Sequence, residues 1–159
     1  MSLQTEKHRQ SYIDYINKNY SLNRSLFISC HVDDYLGYNR GNLSREELFH
    51  RISKLITRFN RSLEKYCFSK DQKRLEKLSV IEMFNRKHFH IVVETPQHIS
   101  KERMKQFIEM SFVDSKRLYD LDIRDVDYRY SLYEYMTNEQ VNLNEDTVDI
   151  KNSYFKKLN

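Results

Sequence analysis

Tryptophan is absent from the 159-residue sequence, which contains only 2 cysteines, 2 glycines and 1 proline. Cys30 and Cys67 lack the spacing of a zinc-binding motif, and two cysteines are too few for the disulfide framework of a small secreted domain. Since scarce glycine and proline leave few flexible joints, the length predicts one domain over residues 1–159. The first 20 residues are expected to form a short helix or an arm, and residues 141–159 a polar C-terminal tail.

Long apolar runs are missing as well. The longest apolar stretches are a few residues long, whereas a membrane-spanning helix needs about 20 apolar residues. The N-terminal stretch MSLQTEKHRQ also lacks the apolar core of a signal peptide. We therefore expect a cytoplasmic protein with no membrane partner.

The charge balance is mildly basic, with 27 Lys+Arg, 23 Asp+Glu and a net charge of +4. This balance permits a polyanionic partner but does not require one, because many soluble domains carry as much charge. The 12 tyrosines and 9 phenylalanines are more unusual. Tyrosines stack on unpaired bases or fill a core while the hydroxyl stays hydrated, and we assign most of them to the core.

The spacing of apolar residues predicts the secondary structure. Ser44 followed by Glu47 is a capping box, which begins a helix that runs to about Tyr66. Ser100 caps a second helix, and a third is expected over residues 130–140. Short apolar or alternating runs predict four strands, at LFISCHV (26–32), LSVIEMF (78–84), HFHIVVE (88–94) and LYDLDIRDV (118–126).

The order strand, helix, hairpin, helix, strand, helix predicts an α+β fold. We expect a central, mainly antiparallel sheet with helices packed on one face. The strand HFHIVVE, which carries two histidines, is expected in the middle of that sheet. It forms a hairpin with LSVIEMF through a loop of Asn85, Arg86 and Lys87.

His88 and His90 are the most informative residues. Alternate side chains of a strand share a face, so both imidazoles point the same way and Phe89 points toward the helices. The three-residue loop places Glu82 directly opposite His90, on the face of both histidines. Two imidazoles and one carboxylate can hold a divalent ion and leave positions for a substrate oxygen. A register shift of one residue would turn Glu82 to the other face.

A His-x-His pair alone is more often part of an ordinary surface or core than of a metal site. With the Glu82 carboxylate across the hairpin, a metal site and an ordinary surface or core pair are about equally well supported. His31, on the first strand, is open in the same way: it either flanks the site or is a hydrogen-bonded core histidine.

A run of tyrosines in YRYSLYEYMTNEQ (128–140) supplies a second signal. With the His-Phe-His pair upstream, the chain resembles the HUH endonuclease superfamily, and within it the single-tyrosine rolling-circle replication initiator (Rep) proteins. In that family the histidine pair lies on a hairpin strand, and a later helix carries the nucleophilic tyrosine, usually as Tyr-x-x-Lys. The resemblance covers roughly residues 26–140 and predicts a single HUH-type domain.

The resemblance implies roles for individual residues. Glu82, His88 and His90 match the metal ligands, and Tyr135 in YMTN matches the tyrosine of Tyr-x-x-Lys. Tyr133 is the alternative nucleophile. Asn138 stands where the family usually has lysine, so it brings no positive charge to the phosphate.

Membership of this family implies an activity as well. On this resemblance, Tyr135 is expected to attack a phosphate of single-stranded DNA and to leave a 5′-phosphotyrosine link and a free 3′-hydroxyl, which would start rolling-circle replication of a plasmid, phage or virus, in the cytoplasm of the host cell if the gene is viral. The expected cofactor is a divalent ion, magnesium or manganese. The expected partners are single-stranded DNA or an origin hairpin and the host helicase and polymerase, with the protein a monomer or homodimer.

DNA contacts are expected from basic residues near the histidine face. Arg86 and Lys87 in the hairpin loop come first, followed by Arg124 and Arg129. Taken singly, each of them is better explained as a solvated surface residue.

Other functions remain open at this point. A transposase or a plasmid-mobilisation relaxase uses the same fold and chemistry, although relaxases usually place three histidines together. A non-catalytic module that binds single-stranded nucleic acid would account for Asn138 in place of lysine.

Overall fold

The computed structural model describes residues 11, 14–33, 43–68, 73–83, 87–126 and 148–156. The longer elements in this part of the chain are β1 (Ser25–Val32), α1 (Arg45–Cys67), β2 (Lys77–Glu82), β3 (His88–Glu94), α2 (Lys101–Asp114) and β4 (Leu118–Asp125). Residues 14–19 are also helical, and short 3-10 turns occupy Leu22–Arg24 and Ile150–Asn152. The helix expected over residues 130–140 lies outside the described residues.

The four strands form one antiparallel sheet in the order β2-β3-β1-β4. The strand with both histidines, β3, therefore lies between β2 and β1, away from the sheet edges. This confirms the predicted α+β class and the interior position of the His-pair strand. None of the described helices is long and apolar enough to cross a membrane.

The two long helices begin at the predicted caps. Ser44 Oγ accepts a hydrogen bond from the Glu47 amide, and Ser100 Oγ accepts one from the Arg103 amide, each at 3.1 Å. Such a cap stabilises a helix by about 1 kcal/mol, because it satisfies an amide that has no partner inside the helix. The buried face of α1 then contains the predicted apolar stripe of Leu48, Ile52, Leu55, Ile56, Phe59 and Leu63.

The alternation of side chains along β3 separates two apolar clusters. Phe89, Ile91 and Val93 are buried with the residues of α1 and α2, as the alternation predicts. Val92 points to the opposite face and belongs to a second cluster, with Tyr15, Ile16, Tyr20, Phe27, Leu78, Val80, Val126, Val148 and Phe155. The sequence predicted helices on one face only. The second face is also partly covered, because aromatic residues from the N-terminal helical turn and from residues 148–156 reach it.

Residues 148–156 cover the outer edge of β2. Lys77 and Tyr154 exchange backbone hydrogen bonds of 3.0 and 2.9 Å, and the Asp149 amide donates to the Ser79 carbonyl at 2.9 Å. An open strand edge exposes unpaired amides and carbonyls, which invite pairing with other chains. This part of the predicted polar tail therefore completes the sheet.

A β-bulge interrupts the pairing of β1 with β4. Between the pairs Ser29–Asp122 and His31–Tyr119, β4 contains one residue more than β1. Within this stretch Asp120 has a φ of 53°, in the left-handed region that costs every residue except glycine free energy. Because a bulge redirects the side chains of its strand, the Asp120 carboxylate comes to lie beside His31.

Candidate metal centre

Three side chains converge at the hairpin end of β2 and β3. Glu82 is the last residue of β2, His88 is the first residue of β3, and His90 follows on the same face. Glu82 Oε2 is hydrogen-bonded to His88 Nε2 and lies 3.5 Å from His90 Nε2. One ligand atom from each residue lies within 4.8 Å of the others. The structure thus brings together the three residues that the sequence predicts as ligands.

The strand register differs from the predicted one by two residues. Glu82 lies opposite His88, and Val80 lies opposite His90, so the expectation that Glu82 faces His90 was wrong. The strands are joined by residues 83–87, a longer connection than the predicted loop, and residues 84–86 lie outside the described part of the chain. Because a shift of two residues preserves the alternation of faces, Glu82 stays on the face of the histidines.

The group is largely shielded from solvent. The side chains of His90, Glu82 and His88 are 6%, 11% and 20% exposed. The His90 ring stacks on Phe27 with the centroids 5.1 Å apart, and the His88 ring meets the His90 ring edge-on at 4.9 Å. These contacts hold the imidazoles in place, and His88 is the most exposed of the three side chains.

The Glu82 carboxyl is held in its ionised form. Burial by itself raises its pKa, but the hydrogen bonds and charges of His88 and His90 outweigh burial and lower the pKa from 4.5 to about 2. The ionised carboxylate is the form that binds a cation. At neutral pH the Glu82 carboxyl therefore already has the charge that binding a metal ion requires.

The His31 ring lies beside the three predicted ligands, in contact with His88. It pairs with His88 across β1 and β3, and the two ring centroids are 5.5 Å apart. His31 Nδ1 lies 3.2 Å from Asp120 Oδ2, and the Tyr119 ring packs against His31 at 5.7 Å. Of the two roles that the sequence left open for His31, the structure supports the one beside the site, and Asp120 orients the ring there.

Two imidazole nitrogens and one carboxylate oxygen form a group that can hold a metal ion. Ligand atoms lie about 2.0–2.2 Å from a transition-metal ion, so Glu82 Oε2 and His88 Nε2 would move apart to bind the same ion, while any ligand atoms as far apart as 4.8 Å would move closer. The hydrogen bond between Glu82 and His88 uses the same two atoms that would bind the ion. Binding would therefore displace the proton that these residues share.

The residues expected to contact DNA are placed differently from one another. The Arg124 side chain is 66% exposed, and its Nε lies 2.6 Å from Asp122 Oδ2. Lys87 is 5% exposed, so the loop lysine expected at the surface is instead buried, and its carbonyl accepts a hydrogen bond from the Val32 amide at the strand end. The other residues predicted for catalysis or DNA contact lie outside the described part of the chain: Arg86, Arg129, Tyr133, Tyr135 and Asn138.

Asp120 is the residue of this neighbourhood that the sequence analysis missed. Plain alternation along LYDLDIRDV treats it as one more solvated charge, whereas its position depends on the bulge between β1 and β4. A weak signal was available, since aspartate is among the few residues other than glycine that tolerate a positive φ.

Comparisons with models of known protein families, with curated proteins and with solved structures find no match to this chain.

Proposed function

We propose that this protein is a metal-dependent endonuclease of the HUH type, which nicks and rejoins single-stranded DNA through a 5′-phosphotyrosine and starts rolling-circle replication of a plasmid, phage or virus. The observation that carries the proposal is the convergence of Glu82, His88 and His90 on one face of the sheet. A purely structural zinc ion is usually enclosed by four protein ligands, whereas three leave room for a substrate oxygen. The described residues supply three.

The residues of the site would hold and orient a magnesium or manganese ion. Glu82, His88 and His90 provide the ligand atoms, while Phe27 and His31 restrain the two imidazole rings. Rings that are already oriented lose little freedom when an ion binds. When bound, the ion would supply positive charge to the scissile phosphate and to the attacking oxygen.

Tyr135 is the proposed nucleophile, with Tyr133 as the alternative. Its oxygen, after losing the phenolic proton to solvent, forms a bond to phosphorus, and the bond from phosphorus to the 3′-oxygen breaks. The 3′-oxygen takes up a proton, which leaves a free 3′-hydroxyl and a 5′-phosphotyrosine. An unperturbed tyrosine titrates near pH 10, so nearby positive charge is needed for ionisation. Asn138 does not bring that charge, in contrast to the lysine usual in the family.

Single-stranded DNA would run along the histidine face of the sheet. Arg124 pairs in the β1–β4 register with Phe27, the residue that stacks on His90. Its exposed guanidinium can therefore reach a phosphate beside the site. Arg86 and Arg129 complete the proposed set of phosphate contacts, which excludes Lys87 because that residue is buried. Strand separation and synthesis would be the work of a host helicase and polymerase.

A covalent-adduct assay tests this proposal. The protein is mixed with single-stranded oligonucleotides of randomised sequence and manganese, and the products are separated on a denaturing gel. We expect a slower protein band that carries DNA, that disappears with EDTA and in Tyr135→Phe, and that persists in Tyr133→Phe. Loss in Tyr133→Phe alone would move the nucleophile to Tyr133.

The assay needs a control that separates metal binding from chemistry. His90→Ala should abolish both manganese binding and the adduct, whereas Tyr135→Phe should abolish only the adduct. If the wild-type protein binds manganese and single-stranded DNA but forms no adduct with any oligonucleotide pool, the endonuclease proposal is wrong.

A non-catalytic module that binds single-stranded nucleic acid is the second candidate, and Asn138 in place of lysine is the observation that favours it. This candidate predicts DNA binding without an adduct, whether or not manganese is present. A transposase or relaxase would form the same adduct as an initiator. It would differ by joining the bound strand to a second, unrelated DNA end.

A further inference from the structure

The solvent side of α1 is a continuous stripe of basic side chains. All of its members are exposed and follow one another at intervals of three and four residues: Arg51, Lys54, Arg58, Arg61 and Lys65. Residues at this spacing lie on one line of an α-helix. At a rise of about 1.5 Å per residue, the stripe is about 21 Å long.

The stripe points away from the sheet. Its residues lie on the side of α1 opposite Ile52, Ile56, Phe59 and Leu63, which are buried against the sheet. The histidines of the candidate metal centre project from the other face of that sheet. The stripe and the metal centre are therefore on opposite sides of the protein, and one ligand strand following one face does not touch both.

The charges of the stripe are not neutralised within the described part of the chain. Ion pairs occur elsewhere, for example between Lys77 and Glu64 and between Lys101 and Asp125, but none of those found among the described residues includes a member of the stripe. Like charges three or four residues apart destabilise a helix. An external polyanion would remove this cost, because it supplies the missing negative charge.

We propose that this stripe binds the phosphate backbone of double-stranded DNA. A straight helix with regularly spaced positive side chains is complementary to duplex DNA, because the duplex is a rigid polyanion with one negative charge per about 1.7 Å of its length. A stripe of about 21 Å spans roughly six base pairs of phosphates at about 3.4 Å per pair. The contacts are to phosphates alone, so binding is independent of sequence.

The surroundings of the stripe favour a duplex over other polyanions. Proteins that bind single strands combine cations with exposed aromatic rings on which bases stack, but Phe49 and Tyr66 of α1 are half-buried and pack in or against the core. Helices that bind acidic membranes insert large apolar side chains, and no exposed large apolar residue belongs to α1: those in the described part of the chain are Met110, Val113 and Ile150.

The surface does not depend on the proposed nuclease activity. It would hold a duplex on the side of the protein opposite the metal centre, and it would bind that duplex equally well if the centre did no chemistry. The test is therefore made in EDTA, where the metal centre holds no ion. A duplex of arbitrary sequence keeps sequence-specific contacts out of the measurement.

Fluorescence anisotropy with a labelled duplex of about 20 base pairs measures the binding. Lys54, Arg58 and Arg61 are replaced together by glutamine, which favours helix as the native residues do. The matched control replaces three exposed lysines elsewhere, Lys18, Lys116 and Lys156, with the same change in charge. Circular dichroism and thermal unfolding check that both variants keep the fold.

We expect the stripe variant to bind the duplex about 30-fold more weakly at low salt, with the slope of log K against log salt reduced by about 2.7, as three lost phosphate contacts require. The control should lose less than about threefold. Equal losses in the two variants, or no loss in the stripe variant, would overturn the proposal. So would a stripe-dependent preference for single-stranded DNA or for vesicles rich in phosphatidylserine over the duplex.

Discussion

Glu82 and His88 face each other across β2 and β3, and their hydrogen bond joins Oε2 to Nε2, the same two atoms that would bind a metal ion. Next to this pair, the His90 ring is held in place by stacking on Phe27. An ion bound by this group would replace the hydrogen bond between Glu82 and His88. Variants of these residues therefore test whether the group binds a metal ion.

Replacing a ligand should reduce metal affinity far more than replacing a neighbour. We expect Glu82→Gln or His90→Ala to weaken manganese binding by about 100-fold or more, and His31→Ala by about tenfold, because His31 only restrains the ring of His88. Isothermal titration calorimetry measures both effects. His50→Ala, an exposed histidine of α1, is the control and should bind as the wild type does. Equal affinities in all variants would contradict the site.

The stability of the metal-free protein should depend on the ionisation of Glu82. Its pKa falls from 4.5 to about 2 in the folded protein, so the ionised carboxylate stabilises the fold above about pH 4.5, and this stabilisation is lost as the pH falls toward 2. Urea unfolding at about pH 5 and pH 3 should show a loss of about 2 kcal/mol in the wild type that is missing in Glu82→Gln. Glu109→Gln, on the exposed side of α2, should retain the loss.

Asn152 should be the most sensitive residue of the C-terminal segment. It is 4% exposed, its Nδ2 donates to Ser53 O at 2.9 Å and to Asp149 Oδ2 at 2.7 Å, and its Oδ1 accepts from Thr57 Oγ1 at 3.0 Å. Asn152→Ala leaves buried groups unsatisfied and should cost about 2–3 kcal/mol in chemical denaturation. Lys151→Ala, exposed in the same turn, should change stability by less than about 0.5 kcal/mol; a similar loss there would argue against the network.

Arg117 offers a stabilising substitution. Its φ of 66° lies in the left-handed region, which costs a residue with a Cβ atom about 1–2 kcal/mol. Arg117→Gly removes this cost but adds freedom to the unfolded chain, so we expect a net gain of about 0.5–1 kcal/mol in the free energy of unfolding. Lys116→Gly, at a neighbouring position without a positive φ, should instead lose stability. Thermal unfolding distinguishes the two directions.

Much of the fold could be predicted because the signals are local. The caps at Ser44 and Ser100 involve residues three positions apart, and the apolar stripe of α1 follows from the helical period. In the same way, alternation along β3 placed His88 and His90 on one face and Phe89 on the other. The site was predictable to the extent that it depends on this alternation.

The sequence by itself determined the helix starts, the strands and the side of the sheet on which Glu82 and the two histidines lie, because each depends on neighbours along the chain. Only the tertiary structure decided that Glu82 faces His88, that a bulge brings Asp120 to His31, and that residues 148–156 cover β2. These features depend on pairing between residues distant in sequence. The strand register and the edge contacts are determined by the free energy of packing across the whole sheet. A local sequence pattern carries no information about that packing.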